Sequence, residues 1–282
     1  MKPSTEFILE NDYFSASIVN DILMVKEKMH ILNMTYNIDK TFSFYDDLDT
    51  VAANNNYKAI AVVGNPDSVC HRERISFLLS ILSDDKANKN IDRLSNIVNQ
   101  IFLLLSSASV PTIYAGSGRI SFFHFNLSLA HDFRVVARDT LFENYNTDLG
   151  IITKGSGYFL PRLVGFKKAV EIMQWRNFTA EEAMHLGLVD SIVSTEKLVE
   201  EAVDFLNITT TGTRSTLLAI RKLLKFDTDK LKTTLALEDK LIKNSLISPN
   251  FKKYFDIYCS KHSDRMAPFS GEAGNEERRA KS

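Results

Sequence analysis

Polar side chains that could move protons or hold a water molecule cluster in the segment FENYNTDLG, at residues 142–150. Glu143 and Asp148 carry carboxylates, which serve as general acids and bases in many enzymes. Asn146, and Asn126 upstream of it, carry amides, which exchange no proton near neutral pH but can hold a water or orient a carbonyl group. Side chains of these types can position a substrate, but their clustering alone does not establish a site. Glu143 and Asp148 are the candidates for proton transfer, although a structural role is favoured for both.

Cysteine and histidine form the other group of residues that could do chemistry. The neighbours Cys70 and His71, with His124 far along the chain, lack the spacing of a zinc site, so we expect no metal. A cysteine nucleophile would need a lowered thiol pKa, which no pattern here indicates. No serine stands at the helix start that a Ser/His/Asp protease would need. His131 and His185 are expected to be ordinary surface or boundary residues.

Composition limits the classes of function. The chain has 282 residues, of which 44% are hydrophobic, enough for a substantial core. Lys and Arg number 34 against 35 Asp and Glu, so charge gives no reason to expect nucleic acid or an anionic membrane as partner. Two cysteines favour a reducing compartment. The N-terminal sequence does not resemble a signal peptide, and no apolar run approaches the roughly 18–20 residues of a membrane span. We therefore expect a cytoplasmic protein.

Short apolar runs that are typical of buried strands occur three times in the first half of the chain. They are YKAIAVVG at 57–64, VPTIYAG at 110–116 and FRVVAR at 133–138. One or two further strands are expected within 21–36. Apolar residues repeat at intervals of three and four from Leu94 to Leu105, which predicts an amphipathic helix. The alternation indicates stacked β-β-α units, in which helices pack on sheets.

The connecting segments are more polar. Residues 40–56 predict a helix that ends at a run of three asparagines. Residues 65–74 predict a polar loop, after which a helix begins near Ile75. Residues 83–92, SDDKANKNID, predict a charged and flexible connection.

Helices dominate the C-terminal part. Thr179 and Glu182 have the spacing of a capping box, and Gly187 fits the end of the helix that the box begins. Further helices are expected at about 213–225 and 229–247. A last one begins after Ser248, with Pro249 as a favourable first-turn residue.

Four segments, in order, resemble the crotonase superfamily of enoyl-CoA hydratases and isomerases. They are LSLAHDFRVVARDTLF, LPRLVGFKKAVEIM, FTAEEAMHLGLVDSIV and SPNFKKYFDIYCSKHSD. The resemblance covers about residues 20–265 and implies an α/β fold. It implies a spiral of β-β-α repeats at 1–195 and a helical C-terminal region at 196–266. The last residues have no apolar periodicity, which predicts a disordered tail at 267–282. It also implies a homo-trimer or hexamer built through the C-terminal helices, and a coenzyme A thioester as ligand, with no covalently bound cofactor.

Members of this superfamily hold the thioester oxygen in an oxyanion hole made by two backbone N–H groups. The resemblance assigns these N–H groups to His71 and Phe123. The glycines usual around the second group are replaced here by Phe122, Phe123 and His124. Glycine allows a ligand to approach the backbone closely, so the bulky residues change the site. Phe122, Phe123 and Phe125 could fill an unused acyl pocket or line an aromatic one.

Hydratases of the superfamily carry glutamates at the positions of Asn126 and Asn146. Loss of both removes the hydration mechanism as it is usually written. Lys261 stands where members often place a base near the coenzyme A phosphates. The resemblance therefore implies an acyl-thioester-binding protein with a non-hydratase reaction, of lyase or isomerase type, or with very weak activity. The alternative is a non-catalytic subunit that acts through oligomerisation or a protein partner.

Overall fold

The computed structural model of the chain describes residues 5–28, 46–47, 50–51, 57–65, 71–82, 87–224 and 227–262. Two sheets occur within these ranges. Numbered along the chain, their strands are β1 (Thr5–Glu10), β2 (Phe14–Val19), β3 (Ile22–Glu27), β4 (Ala59–Val63), β5 (Thr112–Gly116), β6 (Arg119–Ser121), β7 (Phe133–Ala137), β8 (Leu141–Glu143), β9 (Asn177–Thr179) and β10 (Ser191–Val193). The larger sheet has seven strands, in the order β1-β2-β3-β4-β5-β7-β10, and the smaller is β6-β8-β9.

The larger sheet is parallel from β3 to β10 and antiparallel from β1 to β3. Its central strands are the apolar runs of the sequence, so the predicted strands near 57–64, 110–116 and 133–138 are confirmed. Strand β3 lies within the 21–36 segment; the remainder of that segment, from 29, is outside the described residues. Strands β1 and β2 were not predicted.

The helices follow the strands and dominate the C-terminal part. They are α1 (His71–Leu82), α2 (Ala87–Ser107), α3 (Phe122–Ser128), α4 (Asn146–Leu149), α5 (Ser156–Gln174), α6 (Ala180–His185), α7 (Leu198–Thr209), α8 (Arg214–Leu224), α9 (Thr228–Leu246) and α10 (Pro249–His262). The predicted helices at 213–225, 229–247 and after Ser248 are confirmed. None of the helices in the described ranges combines the length and apolar character needed to cross a bilayer.

Two predictions about the connections are wrong. Helix α1 begins at His71, four residues before the predicted start, inside the segment expected to be a loop. Helix α2 begins at Ala87, inside the segment expected to be a flexible connection. Its first turns expose polar side chains on one face while Ile91 is buried on the other, so the polar composition belongs to an amphipathic helix. The predicted helix at 40–56 and the tail at 267–282 lie largely or wholly outside the described residues.

Two helix caps have the predicted form. The Thr179 side chain accepts from the Glu182 N–H, and the Glu182 carboxylate accepts from the Thr179 N–H, which completes the capping box of α6. Gly187 follows α6 with a φ of 70°, the left-handed conformation that glycine adopts most easily.

Hydrophobic side chains cover both faces of the larger sheet. On one face α7 packs against β3, β4, β5 and β7 through Leu198, Ala202 and Leu206. On the other lie α2, α3 and α5, which form the main core. A third cluster joins α1 and the start of α2 to α10 through Phe251, Phe255 and Tyr258. This third cluster stands outside the main core, and the two together leave a space between them.

Candidate active site

A cavity of about 150 Å³ lies in that space, among α1, α2, α4, α9 and the segment 151–154. Its walls are mostly apolar side chains, including Leu78, Leu94, Val98, Ile152 and Leu246. Five polar or charged side chains also line it: Arg74, Ser95, Asn146, Lys154 and Asp239. Phe123 of α3 completes the lining. An apolar cavity with a few polar groups is the usual form of a small-molecule site.

Helix α3 sends its neighbouring side chains in different directions, as its 3.6 residues per turn require. Phe122 and Phe125 are buried in the main core, where the Phe125 ring lies 4.9 Å from Phe142 and 5.2 Å from Phe178 between centroids. His124 is buried against Glu27, with 3.2 Å between Nε2 and Oε2. Only Phe123 of these four lines the cavity, so Phe122 and Phe125 fill core space and leave the cavity open.

The buried amide of Asn126 holds the segment before α5. Its Nδ2 donates to the Lys154 carbonyl at 2.8 Å and to Ser156 Oγ at 2.7 Å. Its Oδ1 has no hydrogen-bond partner among the described residues. Asn126 is not among the residues that line the cavity. It therefore supports the cavity wall from behind.

Asn146 is the first residue of α4 and lines the cavity itself. Its Nδ2 donates to Thr153 Oγ1 at 2.9 Å, and that hydroxyl donates to Asn144 Oδ1 at 3.2 Å. The amide is therefore held in one orientation by side chains of its own loop. Such an arrangement can hold a ligand oxygen or a water, but it cannot take up a proton.

The buried Lys154 and the half-buried Asp239 form an ion pair at the cavity wall. The Lys154 Nζ also donates to the Leu235 carbonyl at 2.6 Å, and Asp239 Oδ2 accepts from Asn99 Nδ2 at 2.7 Å. Burial lowers the pKa of Lys154, while the hydrogen bond and the charge of Asp239 raise it. Sequence reasoning missed this pair because its members are 85 residues apart and neither belongs to a recognisable motif.

Glu238 fixes the glycine-rich start of α5. Its carboxylate accepts from the N–H groups of Gly155 and Gly157, at 2.7 and 2.8 Å. Burial raises the pKa of Glu238, and the two backbone donors oppose that change. Gly155 has a φ of 89°, and a Cβ there would lie 2.5 Å from Phe102, so both conformation and space require glycine.

The two candidate carboxylates of the sequence do not line the cavity. Glu143 is buried between Arg119 and Tyr145, both of which donate to it. Burial first, and the hydrogen bond to Glu143 second, raise the pKa of Tyr145. Asp148 forms an ion pair with Arg176, at 2.7 Å between Oδ1 and Nη1.

The remaining predicted residues lie on helices. His71 is the first residue of α1, and the structure does not describe its side chain. Lys261 is exposed near the end of α10 and is not part of the cavity lining. The structure therefore brings Phe123 and Asn146 together at the cavity, with Asn126 directly behind its wall.

The other histidines differ in environment. His185 is exposed on α6, in keeping with its expected place at the surface. His131 is buried, contrary to expectation, with its ring 5.9 Å from Tyr114 between centroids. Burial, with a smaller contribution from Arg134, lowers its pKa to about 3. Among the described residues no group of three or more His, Cys, Asp or Glu side chains could hold a metal ion.

Known proteins share this fold. The family model for enoyl-CoA hydratase/isomerase matches residues 38–266. The enoyl-CoA hydratase of Bacillus halodurans superposes with a TM-score of 0.75 at 22% identity, covering 87% of this chain and 99% of that one. Human mitochondrial delta3-delta2-enoyl-CoA isomerase gives a TM-score of 0.71 at 16% identity, covering 88% and 96%. The structure likenesses establish the crotonase fold, and the family match extends over most of the chain. The chain belongs to the enoyl-CoA hydratase/isomerase family.

Proposed function

We propose that this protein binds an acyl thioester of coenzyme A, with the acyl group in the cavity beside Phe123 and Asn146. The observation that carries the proposal is the open, mainly apolar cavity of about 150 Å³ at that position. Apolar cavities of about this volume bind molecules the size of benzene, so an acyl group of about six carbon atoms or fewer fits. The family match supports a thioester as the ligand class.

The thioester oxygen is assigned to the backbone N–H groups of Phe123 and His71. Phe123 is the second residue of α3 and His71 the first of α1. The first N–H groups of a helix have no acceptor within the helix, so they can serve a ligand. In α3 the Ser121 hydroxyl accepts from the His124 N–H at 3.2 Å, one position further along. Lys261 on α10 is assigned to the coenzyme A phosphates.

The reaction is not hydration at a normal rate. Asn126 and Asn146 stand where hydratases carry glutamates, and an amide neither takes nor gives a proton near neutral pH. Glu143 is engaged by Arg119 and Tyr145, and Asp148 by Arg176. We propose either a different reaction of lyase or isomerase type or very weak activity, with Asn146 orienting the bound acyl group.

A second candidate is a non-catalytic subunit that acts through oligomerisation. Large apolar side chains are exposed on helices of the C-terminal half, among them Phe166 of α5, 76% exposed, and Leu223 of α8, 83% exposed. A contiguous exposed apolar surface marks a place where proteins associate, whereas single exposed apolar residues are ordinary. We infer a homo-trimer or hexamer for both candidate functions, with these side chains as candidates for its interface.

Thermal denaturation in the presence of coenzyme A and its esters tests the proposed ligand. A ligand that binds only the folded state raises the melting temperature. We expect butyryl-CoA and hexanoyl-CoA to raise it more than free coenzyme A does, and longer chains to add nothing. The same shift for free coenzyme A and for every ester would contradict an acyl group in the cavity.

Turnover separates the two candidates. Crotonyl-CoA and malonyl-CoA are incubated with the wild-type protein and with the variants Asn146→Ala and Glu143→Ala. Conversion that disappears with Asn146→Ala excludes the non-catalytic subunit. Conversion that survives Asn146→Ala contradicts the role assigned to that amide.

A further inference from the structure

The Lys154–Asp239 ion pair has no counterpart in the chemistry proposed so far. Both side chains line the cavity, and the Lys154 side chain is only 7% exposed. Placing two charges in an apolar environment costs desolvation energy that their attraction often does not recover. A pair of apolar residues would form the same wall without this desolvation energy. The presence of an ion pair here therefore suggests a function beyond packing.

The need to attach residues 154–157 to α9 does not explain the ion pair. Glu238, the neighbour of Asp239, already holds the loop through the N–H groups of Gly155 and Gly157. Asn126 holds it from the opposite side through the Lys154 carbonyl and Ser156. The side chain of Lys154 therefore adds charge to the cavity wall at a place that is already fixed.

The pair offers a donor and an acceptor side by side. A lysine ammonium has three N–H groups, and two of them are directed to the Leu235 carbonyl and to Asp239. A carboxylate has about four acceptor positions, and Asp239 uses two of them for Lys154 and Asn99. One further donor and two further acceptor positions are left on these two side chains, both of which line the cavity.

We propose that Lys154 and Asp239 form a subsite for a hydroxyl group on the acyl chain. The Lys154 Nζ donates to the hydroxyl oxygen, and the Asp239 carboxylate accepts the hydroxyl proton. This inference rests on the proposed thioester function and adds the chemistry of the acyl group: a short apolar chain that carries a hydroxyl. Lys154 and Asp239 are specificity-determining residues in this account.

Other substituents fit the pair less well. A keto oxygen accepts from Lys154 but gives Asp239 nothing. A carboxylate on the acyl chain meets the negative charge of Asp239. A plain alkyl chain leaves both charged groups against apolar surface without a new partner, which a site built for a hydroxyl strongly disfavours.

Isothermal titration with matched four-carbon thioesters tests the subsite. The ligands are butyryl-CoA, 3-hydroxybutyryl-CoA, 4-hydroxybutyryl-CoA, acetoacetyl-CoA and succinyl-CoA. We expect one of the hydroxy esters to bind the wild-type protein at least about tenfold more tightly than butyryl-CoA and more tightly than the keto and carboxyl esters. The two hydroxyl positions are included because the distance from the thioester to the pair selects one of them.

The variant Lys154→Met/Asp239→Leu replaces both members of the ion pair by apolar side chains, so neither of the two charges is left without the other. We expect this variant to bind butyryl-CoA and to lose the preference for the hydroxy ester. The control is Lys168→Met/Glu171→Leu, which removes an ion pair from the exposed surface of α5 and should leave the preference unchanged. Circular dichroism checks that each variant folds.

Equal affinity for butyryl-CoA and both hydroxy esters would overturn the subsite while leaving thioester binding intact. A preference that persists in the double variant would do the same. Tighter binding of acetoacetyl-CoA or succinyl-CoA would overturn the assignment to a hydroxyl. Absence of binding by every ester would overturn the proposed function, and the subsite with it. If the double variant does not fold, a structure of the wild-type complex decides: the account requires the hydroxyl oxygen within about 3 Å of Lys154 Nζ.

Discussion

The two sides of helix α3 differ in what they do with the same kind of residue. On the core side, Phe122 and Phe125 pack with Phe142 and Phe178 in an aromatic cluster that is almost fully buried. On the cavity side, Phe123 borders an open space. The bulky residues that the sequence resemblance aligns with the family's glycines therefore do not close the cavity. The helix directs these side chains to different sides, so Phe122 and Phe125 lie in the core and Phe123 alone of the three borders the cavity.

The polar groups differ between the two sides as well. On the core side, His124 is matched by Glu27 within the protein. On the cavity side, Asn146, Lys154 and Asp239 face space that a ligand can enter. Mutations on the core side should therefore change stability, and mutations on the cavity side should change binding.

The largest effect is expected at the centre of the aromatic cluster. Phe125→Ala removes a fully buried ring and leaves a cavity, which costs about 3–5 kcal/mol of unfolding free energy. Phe123→Ala is the matched control on the other side of the helix. It should cost less than half as much, because its ring borders a cavity that already exists. Urea unfolding measures both values, and equal losses would contradict the division between the two sides.

The next effect concerns His131, which follows α3 on the core side. Its pKa is about 3 in the folded protein and about 6.5 in an unfolded chain. As the pH falls from 6.5 towards 3, the unfolded chain takes up a proton that the folded protein excludes. The unfolding free energy should therefore fall with decreasing pH, by up to about 1.4 kcal/mol per pH unit from this group below pH 6.5, and almost none of this loss occurs above about pH 7.5.

Urea unfolding of the wild type and of His131→Gln between pH 4 and pH 7 measures this contribution. The variant has no titratable group at position 131, so its unfolding free energy should change less steeply with pH than that of the wild type. Comparison of slopes removes any loss of stability that the variant suffers at all pH values. Identical slopes would mean that His131 takes up its proton in the folded protein too.

A smaller effect is expected behind the cavity wall, at Glu238. In the wild type the Glu238 carboxylate accepts from two glycine N–H groups. In Glu238→Gln the side-chain NH2 faces one of these donors, so one hydrogen bond is lost and the unfolding free energy should fall by about 1–3 kcal/mol. The control Glu171→Gln breaks an exposed ion pair and should cost less than about 1 kcal/mol. Thermal unfolding compares the two. A Glu238→Gln variant as stable as the control would contradict the role of Glu238 in holding the start of α5.

The smallest effects separate two neighbours on α4. Asp148→Asn breaks a partly exposed ion pair with Arg176 and should change stability by less than about 1 kcal/mol, with no change in thioester affinity. Asn146→Ala should weaken thioester binding, because Asn146 lines the cavity. Titration with butyryl-CoA distinguishes them. If Asp148→Asn weakened binding and Asn146→Ala did not, Asp148 and not Asn146 would be the residue that contributes to thioester binding.

The sequence predicts the fold better than the site. The central strands and the C-terminal helices follow from apolar runs, from amphipathic spacing and from caps such as the Thr179–Glu182 box. The starts of α1 and α2 do not follow from these patterns. Their polar and charged residues are typical of a loop, although each belongs to a helix that buries only one face. Phe123 and Asn146 were predicted from their alignment with the family's motifs. The sequence does not predict the roles of Lys154, Asp239 and Glu238, because their contacts join segments more than 80 residues apart.

Calorimetric titration of a cavity-filling variant determines whether the acyl group of a bound thioester lies in the cavity. Ser95 lines the cavity from α2, and Ser95→Phe should place a ring in the space that the acyl group needs. Asn96→Phe adds the same ring at the exposed neighbouring position and serves as the control. In the wild type and the control, butyryl-CoA should bind more tightly than free coenzyme A. In Ser95→Phe the two ligands should bind equally, because coenzyme A itself lies outside the cavity. An undiminished advantage of butyryl-CoA in Ser95→Phe would contradict the account.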